Sequence, residues 1–429
     1  MKSKKLKDYI LFWISQSISQ LGSSMTSFAL IIWAYTQTKS AMTVSLLIFF
    51  TYLPYILISA FVGTFVDTHR KKSIMLWTDS VSCICCIVVL ILFVLGRLEI
   101  WSIYIVNGII GTMNAFQSPT LAVVVGILVP KQNYEKISGL NSFSNSLITG
   151  VTPMLAASIS SIFGLKGVLF IDLISFIIGF ITLLFFINIH ESEINRETLE
   201  NKNIFNGCKD GFLFLFQHKG LLYIILSIAL MNFFSRLTYE NILSPMILTR
   251  SSGNTAILGI VSGIIGLGGI IGGVIIYLIQ ISKNKIKLLY YSAAFSFIFG
   301  DFLMGIGENV YLWSIAALAA SIPIPFIIAS QNVILYNSVP SKMQGRIFAV
   351  RNSIQYFTIP IGTLLGGALA DYVFEPYMKS TTIFALILQR IVGTGDGSGM
   401  AVMFLCTGIL GSVTSMIWCC NKQIRKLQK

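Results

Sequence analysis

Charge is what this sequence has least of. Asp, Glu, Lys and Arg make up 11% of its 429 residues, and His occurs 3 times. Soluble domains carry about 25% charged residues, so a chain at this level is not built to face water on all sides. The seven cysteines, at 83, 85, 86, 208, 406, 419 and 420, have no metal-ligand spacing with the histidines and no disulfide-permissive placement, so they read as packing residues. No G-x-x-x-x-G-K-[ST] phosphate loop occurs, which excludes an ATPase motor of that type. No metal or cofactor is expected, and the chain does not read as an enzyme.

What is present is apolar. Hydrophobic residues make up 55% of the chain and the mean hydropathy is +0.80. Runs of about 20 apolar residues recur, each enough to cross a hydrocarbon core about 30 Å thick. Backbone groups left unpaired in lipid cost several kcal/mol each, which excludes an open sheet. The expectation is an all-α integral membrane protein with twelve spans at 10–36, 43–66, 73–96, 100–127, 137–164, 167–189, 221–248, 256–281, 287–307, 310–336, 346–373 and 400–420. The first run, although preceded by lysines, carries Gln16, Gln20 and several serines and lacks a small-residue cleavage pattern, so it reads as a span and not as a cleaved leader.

The net charge of +13 is a matter of placement. With twelve spans, 23 of the 30 Lys and Arg fall on one side, 6 on the other, and Arg236 within a span. In that count the basic turn Lys342–Arg351 belongs to the inner side. Such a bias marks the cytoplasmic face, so both termini are expected there, in a bacterial plasma membrane, and nucleic acid is not expected as a partner.

One long polar interval, His190 to Gly211, divides the spans six and six. The organisation expected is a first bundle over 1–189, a linker over 190–220 whose apolar end lies on the membrane surface, and a second bundle over 221–429. A shift of 210 residues lays Gly63 on Gly273, Val129-Pro130 on Val339-Pro340 and Lys136-Ile137 on Arg346-Ile347. That weak repeat favours two pseudo-symmetric halves flanking a midplane cavity. The outer stretch 374–399 has an apolar middle that suggests a short helix.

The scarce charges are concentrated in GTFVDTHRKKSIMLWTDS, residues 63–80. A positive-inside anchor explains Arg70, Lys71 and Lys72. It does not explain Asp67 or Asp79, because acids contribute little to topology. Gly63 permits close approach at the end of the second span. The set Gly63, Asp67, Arg70, Lys71, Lys72 and Asp79 is therefore read as a cytoplasmic gate.

This turn resembles the inner-loop signature Gly-x-x-x-Asp-Arg-x-Gly-Arg-Arg of the major facilitator superfamily. Gly63, Asp67, Lys71 and Lys72 match, whereas Thr68 stands where Arg is usual and Arg70 where Gly is usual. SISQLGSSMTSFAL, LFIDLISF, VPSKMQGRIFAVRNSI, IGTLLGGALADYVFEPYMKS and VGTGDGSGMAVMFLCTGILG are similar to the macrolide-efflux branch, itself similar to enterobactin exporters. The resemblance implies a twelve-helix secondary exporter driven by the proton gradient.

Ionisable groups inside spans cost about 2.5–3.5 kcal/mol on the lenient insertion scale and need a reason. Arg236 and Glu240 stand four apart on one face of span seven, either as a self-neutralising pair or as a coupling site. Asp172 in span six and Asp301 in span nine are further proton-coupling candidates, with water contact in an outer vestibule as the plainer reading of each. Asp371 reads as structural. Gln16, Gln20, Asn107, Asn145, Asn232, Gln331 and Gln355 are cavity candidates, with interhelical hydrogen bonding as their commoner role.

These observations lead to proton antiport of an amphiphilic organic compound, macrolide-like or siderophore-like, by a monomer in the lipid bilayer. Two alternatives stay open: an importer of the same fold, and a membrane partner protein without a transport cycle.

Overall fold

The computed structural model describes residues 2–128, 134–187, 212–278, 284–339 and 341–428. All regular structure among them is helical. Ten segments are long and apolar enough to cross a membrane. One of these, Gly150–Phe186, is 37 residues long and is divided at Gly164, whose φ of 65° lies in the left-handed region that glycine adopts without a Cβ penalty. The helix Lys2–Thr38 is the remaining crossing, so the twelve-helix architecture read from the sequence is what the chain adopts.

Spans two, three and four are Ala41–Thr68, Lys71–Val94 and Ile100–Leu128. Spans five and six lie in Tyr134–Ile181, on either side of Gly164. Span seven runs over Lys219–Thr238, then a turn, then Leu243–Arg250. Its expected continuity over 221–248 fails because Pro245 can neither donate to the residue four before it nor fit its ring against that carbonyl. Span eight is Thr255–Leu278. Span nine is Lys285–Phe295, a π-helical turn over Ser296–Asp301 and Phe302–Ile306. Span ten is likewise two pieces, Val310–Ser321 and Ile324–Ser338, separated at Pro323. Span eleven begins as Ser341–Leu369 and span twelve is Ser398–Cys419. The stretch 374–399 holds the short helix Ile383–Val392, as its apolar middle suggested.

The contacts divide the chain into two units. The first takes residues up to Thr38 and from Leu46 to Asn201; the second takes Lys39–Ser45 and everything after Asn201. In the first unit, Met25, Leu47, Val89, Ile103, Val168 and Leu169 form one buried cluster. Gly22 lets span one close on span six: a Cβ there would meet the side chains of Ser175 and Asp172. Large apolar side chains such as Ile84, Phe170 and Phe185 stay more than half exposed, which suits a surface solvated by lipid.

In the second unit, Ile224, Ile228, Leu289, Tyr290, Leu335 and Val350 form the corresponding core. Ser227 and Tyr290 satisfy each other's hydroxyls within it at 2.7 Å. Span eight approaches span ten closely at Gly272, where a Cβ would collide with the Ile322 carbonyl oxygen. This is the use of small residues that brings membrane helices together. Asp371 accepts from Ser40 Oγ at 2.5 Å, Ala41 N at 3.1 Å and Met42 N at 2.9 Å. It thereby satisfies amide donors that the first turn of Ala41–Thr68 leaves open, and the structural reading of this residue acquires its specific form. Glu375 does the same for Ser398–Cys419, accepting from Gly397 N at 3.2 Å and Met400 N at 3.0 Å.

Candidate functional site

The first unit contains a cavity of about 610 Å³, within the range of pockets that hold drug-sized ligands. Spans one, three, four and six supply most of its lining, with Tyr55 from span two and Ser144 from span five. Span one contributes Gln16 and Gln20, one turn apart and so on one face, with Ser19, Ser23 and Thr26 between and beyond them. Span four contributes Asn107, Asn114 and Gln117. The aromatic rings of Phe12, Trp13 and Phe176 share the wall. The lining is thus amphipathic, with amides and hydroxyls beside ring faces.

Two carboxylates belong to this wall. Asp79 is 5% exposed and accepts from Gln117 Nε2 at 2.7 Å. Asp172 is 2% exposed; Oδ1 accepts from Ser23 Oγ at 3.3 Å and Oδ2 from Cys86 Sγ at 3.6 Å. Both side chains are thus nearly buried and still face the cavity. Among the described residues of the lining there is no Lys, Arg or His. Removing a carboxylate from water without a counter-charge is costly, and the group neutralises instead. Protonation of these two side chains is therefore the direct way for the cavity wall to lose its charge.

Asp79 was expected to act with the charged turn, and the structure places it in the cavity beside Gln117. Of the other gate residues, Arg70 is exposed at the start of span three, and its carbonyl accepts from Ile74 N at 3.1 Å. Lys71 is buried. Lys72 Nζ donates to the carbonyls of Leu184 at 2.9 Å and Ile187 at 2.8 Å, closing the end of span six. Gly63 belongs to the helix Ala41–Thr68, while its surroundings and the side chains of Asp67 and Asn145 lie outside what the structure describes.

A second, smaller cavity of about 230 Å³ lies within the second unit. It gathers Asn232 and Arg236 of span seven, Gln331 and Asn332 of span ten, and Arg351, Asn352 and Gln355 of span eleven. Three cavity candidates of the sequence and one coupling candidate meet here. Arg351 does not. The sequence reading assigned it to the inner basic turn, but it stands well inside the helix Ser341–Leu369, beyond the first residue of the apolar stretch Val350–Met378. The signal that could have found it is its position ten residues after Ser341, nearly three helical turns in. Arg351 Nη1 donates to Asn332 Oδ1 at 2.8 Å, while Nη2 and Nε donate to Asn352 Oδ1 at 3.0 and 3.2 Å. The amide nitrogens of Gln331 and Gln355 are buried without a hydrogen-bond partner among the described residues, a condition that costs about 1–3 kcal/mol per group.

Arg236 and Glu240 form the expected ion pair through Nη1 and Oε1. Glu240 lies in the turn after Thr238, however, and its side chain is 39% exposed. Asp301 belongs to neither cavity. It is 1% exposed and accepts from Thr407 Oγ1 at 2.7 Å. Its expected contact with vestibule water is overturned: the π-helical turn directs the carboxylate onto span twelve.

A family model described as Major Facilitator Superfamily matches residues 12–363. Macrolide efflux protein A of Streptococcus pyogenes is 26% identical over 379 residues, covering 86% of this chain and 90% of that protein. Multidrug resistance protein MdtG of Proteus mirabilis is 24% identical over 298 residues, covering 67% of this chain and 70% of that protein. Among solved structures, the POT family transporter PepTSo aligns with a TM-score of 0.69 at 12% identity, over 100% of this chain and 99% of that one.

Proposed function

The chain belongs to the major facilitator superfamily, and from that premise we propose that this membrane transporter exports an amphiphilic organic compound of the macrolide-like class in exchange for protons. The observation that carries the reading is the pair Asp79 and Asp172, two buried carboxylates on the wall of a drug-sized cavity with no cation among the described residues of its lining. The similarity to macrolide efflux protein A over most of both chains supports the direction and the substrate class.

In the cycle proposed, protons enter from outside onto Asp79 and Asp172. A wall neutralised in this way costs less to desolvate, so the proton-loaded, substrate-free form can close on one face and open on the other. Facing the cytoplasm, the carboxylates release their protons, and the amides of Gln16, Gln20, Asn107 and Gln117 hydrogen-bond the incoming substrate while Phe12, Trp13 and Phe176 cover its apolar part. Gln117 holds Asp79, and Ser23 with Cys86 holds Asp172, so that each carboxylate stays oriented in both protonation states. Exchange follows because substrate-bound and proton-loaded forms are the two that move between faces. Both termini are placed in the cytoplasm, following the positive-inside bias.

The test uses inverted membrane vesicles with an acidic lumen and a lumenal pH dye. Adding erythromycin should alkalinise the lumen in vesicles that contain the protein and leave control vesicles unchanged. Substrate-dependent acidification of right-side-out vesicles would support the importer instead, and no proton movement with any amphiphile tested would remove the antiport reading.

A further inference from the structure

The cavity of the second unit has a different chemistry from the aspartate-lined one, and the cycle just described does not use it. Its described lining comprises two guanidinium groups, five primary amides (Asn232, Gln331, Asn332, Asn352 and Gln355), Tyr356 and Ile328, with no carboxylate among the described residues. Glu240, which pairs with Arg236, is outside that lining. We propose that this cavity is an oxyanion subsite that takes the carboxylate of an amphiphilic organic acid.

Three features lead there. First, Arg351 bonds the carbonyl oxygens of both Asn332 and Asn352, so the acceptor ends of those two amides are engaged and the ends that remain are N–H donors. Second, the nitrogens of Gln331 and Gln355 are buried and have no partner among the described residues. Gln331 as a whole is 5% exposed. Donors in that state are satisfied by an incoming acceptor. Third, the guanidinium of Arg351 is planar and is oriented by the amide oxygens of Asn332 and Asn352, a pre-organised form in which arginine binds carboxylates through paired hydrogen bonds. The volume of about 230 Å³ suits a carboxylate with a short chain or a single ring, for which Tyr356 and Ile328 offer apolar contact. Spans seven, ten and eleven each supply at least two of these groups, so a bound oxyanion would tie all three together.

The inference rests on the transport reading only in taking the ligand to be an amphiphile that the transporter handles; binding itself requires no gradient. The experiment therefore uses the full chain in phosphatidylcholine nanodiscs at fixed ionic strength, with radiolabelled 4-phenylbutyrate as the probe. Unlabelled 4-phenylbutyrate should displace the label at about tenfold lower concentration than the uncharged isostere 4-phenylbutyramide, a preference of the size expected for one charge-assisted contact. Arg351→Gln should erase the preference and Arg351→Lys should keep part of it. Gln355→Leu, which leaves both arginines in place, should weaken phenylbutyrate several-fold and serves if Arg351→Gln is not recovered folded. Equal displacement by acid and amide, or an unchanged preference in Arg351→Gln, would overturn the proposal. Loss of proton exchange in the vesicle assay with phenylbutyrate binding intact would remove the antiport reading and leave this subsite standing.

Discussion

Two carboxylates in one cavity set a ceiling on coupling. If Asp79 and Asp172 each carry one proton per cycle, two protons enter for each substrate that leaves. One pH unit across the membrane is worth about 1.4 kcal/mol per proton. With the electrical potential clamped at zero by potassium and valinomycin, a gradient of one unit then sustains roughly 100-fold accumulation at two protons and roughly tenfold at one. Asp79→Asn and Asp172→Asn, measured singly, should each lower the plateau from about 100-fold to about tenfold, and the double variant should bring it to unity. The assay is radiolabelled erythromycin taken up by inverted vesicles, read at the plateau and not as an initial rate, because a merely slowed transporter reaches the same plateau later. Asparagine keeps the shape of the side chain and the hydrogen bond from Gln117 or Ser23 can be re-formed at its oxygen. Gradient-driven accumulation by the double variant at the wild-type plateau would refute the assignment, whatever the single variants do.

Further outcomes follow from other contacts. Glu240→Gln leaves Arg236 without its partner charge; if the pair couples protons to movement, erythromycin binding persists while gradient-driven uptake disappears, and if it only stabilises, uptake persists with at most about 1 kcal/mol lost, since the pair is part-exposed. Gly272→Ala drives a methyl group into the Ile322 carbonyl, and overpacking of that kind costs roughly 1–3 kcal/mol, seen as a lower melting temperature in detergent. Asp371→Ala removes the acceptor from Ser40, Ala41 N and Met42 N, a cap worth about 1–2 kcal/mol, and Asp371→Asn should retain part of it by the same melting measurement.

Much of the architecture was legible because lipid simplifies the code. A run of about 20 apolar residues has few options beyond a spanning helix, so the number and order of spans could be read directly. What was not legible was where helices break. Pro245 and Pro323 announce their breaks, but the π-helical turn at Ser296–Asp301 carries no proline and depends on packing. Gln16, Gln20 and Asn107 were found because a polar residue inside a span is conspicuous by itself. Asp79 was grouped with Arg70–Lys72 by proximity in sequence, whereas two turns of helix bring it to the cavity wall beside Gln117. Arg351 was missed for the converse reason: a basic residue near an inner loop looks like a topology signal until the helix is seen to begin ten residues earlier.

Lys72 ends up with two occupations. Any tally of loop cations counts it as a vote for which side of the membrane the loop occupies, yet its ammonium also ties off the carbonyls of Leu184 and Ile187, where the last helix of the first unit stops. The terminus of that unit is thus fastened to the beginning of its third helix just before the chain departs into its longest hydrophilic stretch. Charge statistics alone would rate lysine, arginine and a neighbouring cation as interchangeable there; the geometry says that reach and a rotatable tip matter, and that this position is part of the joinery as well as of the address.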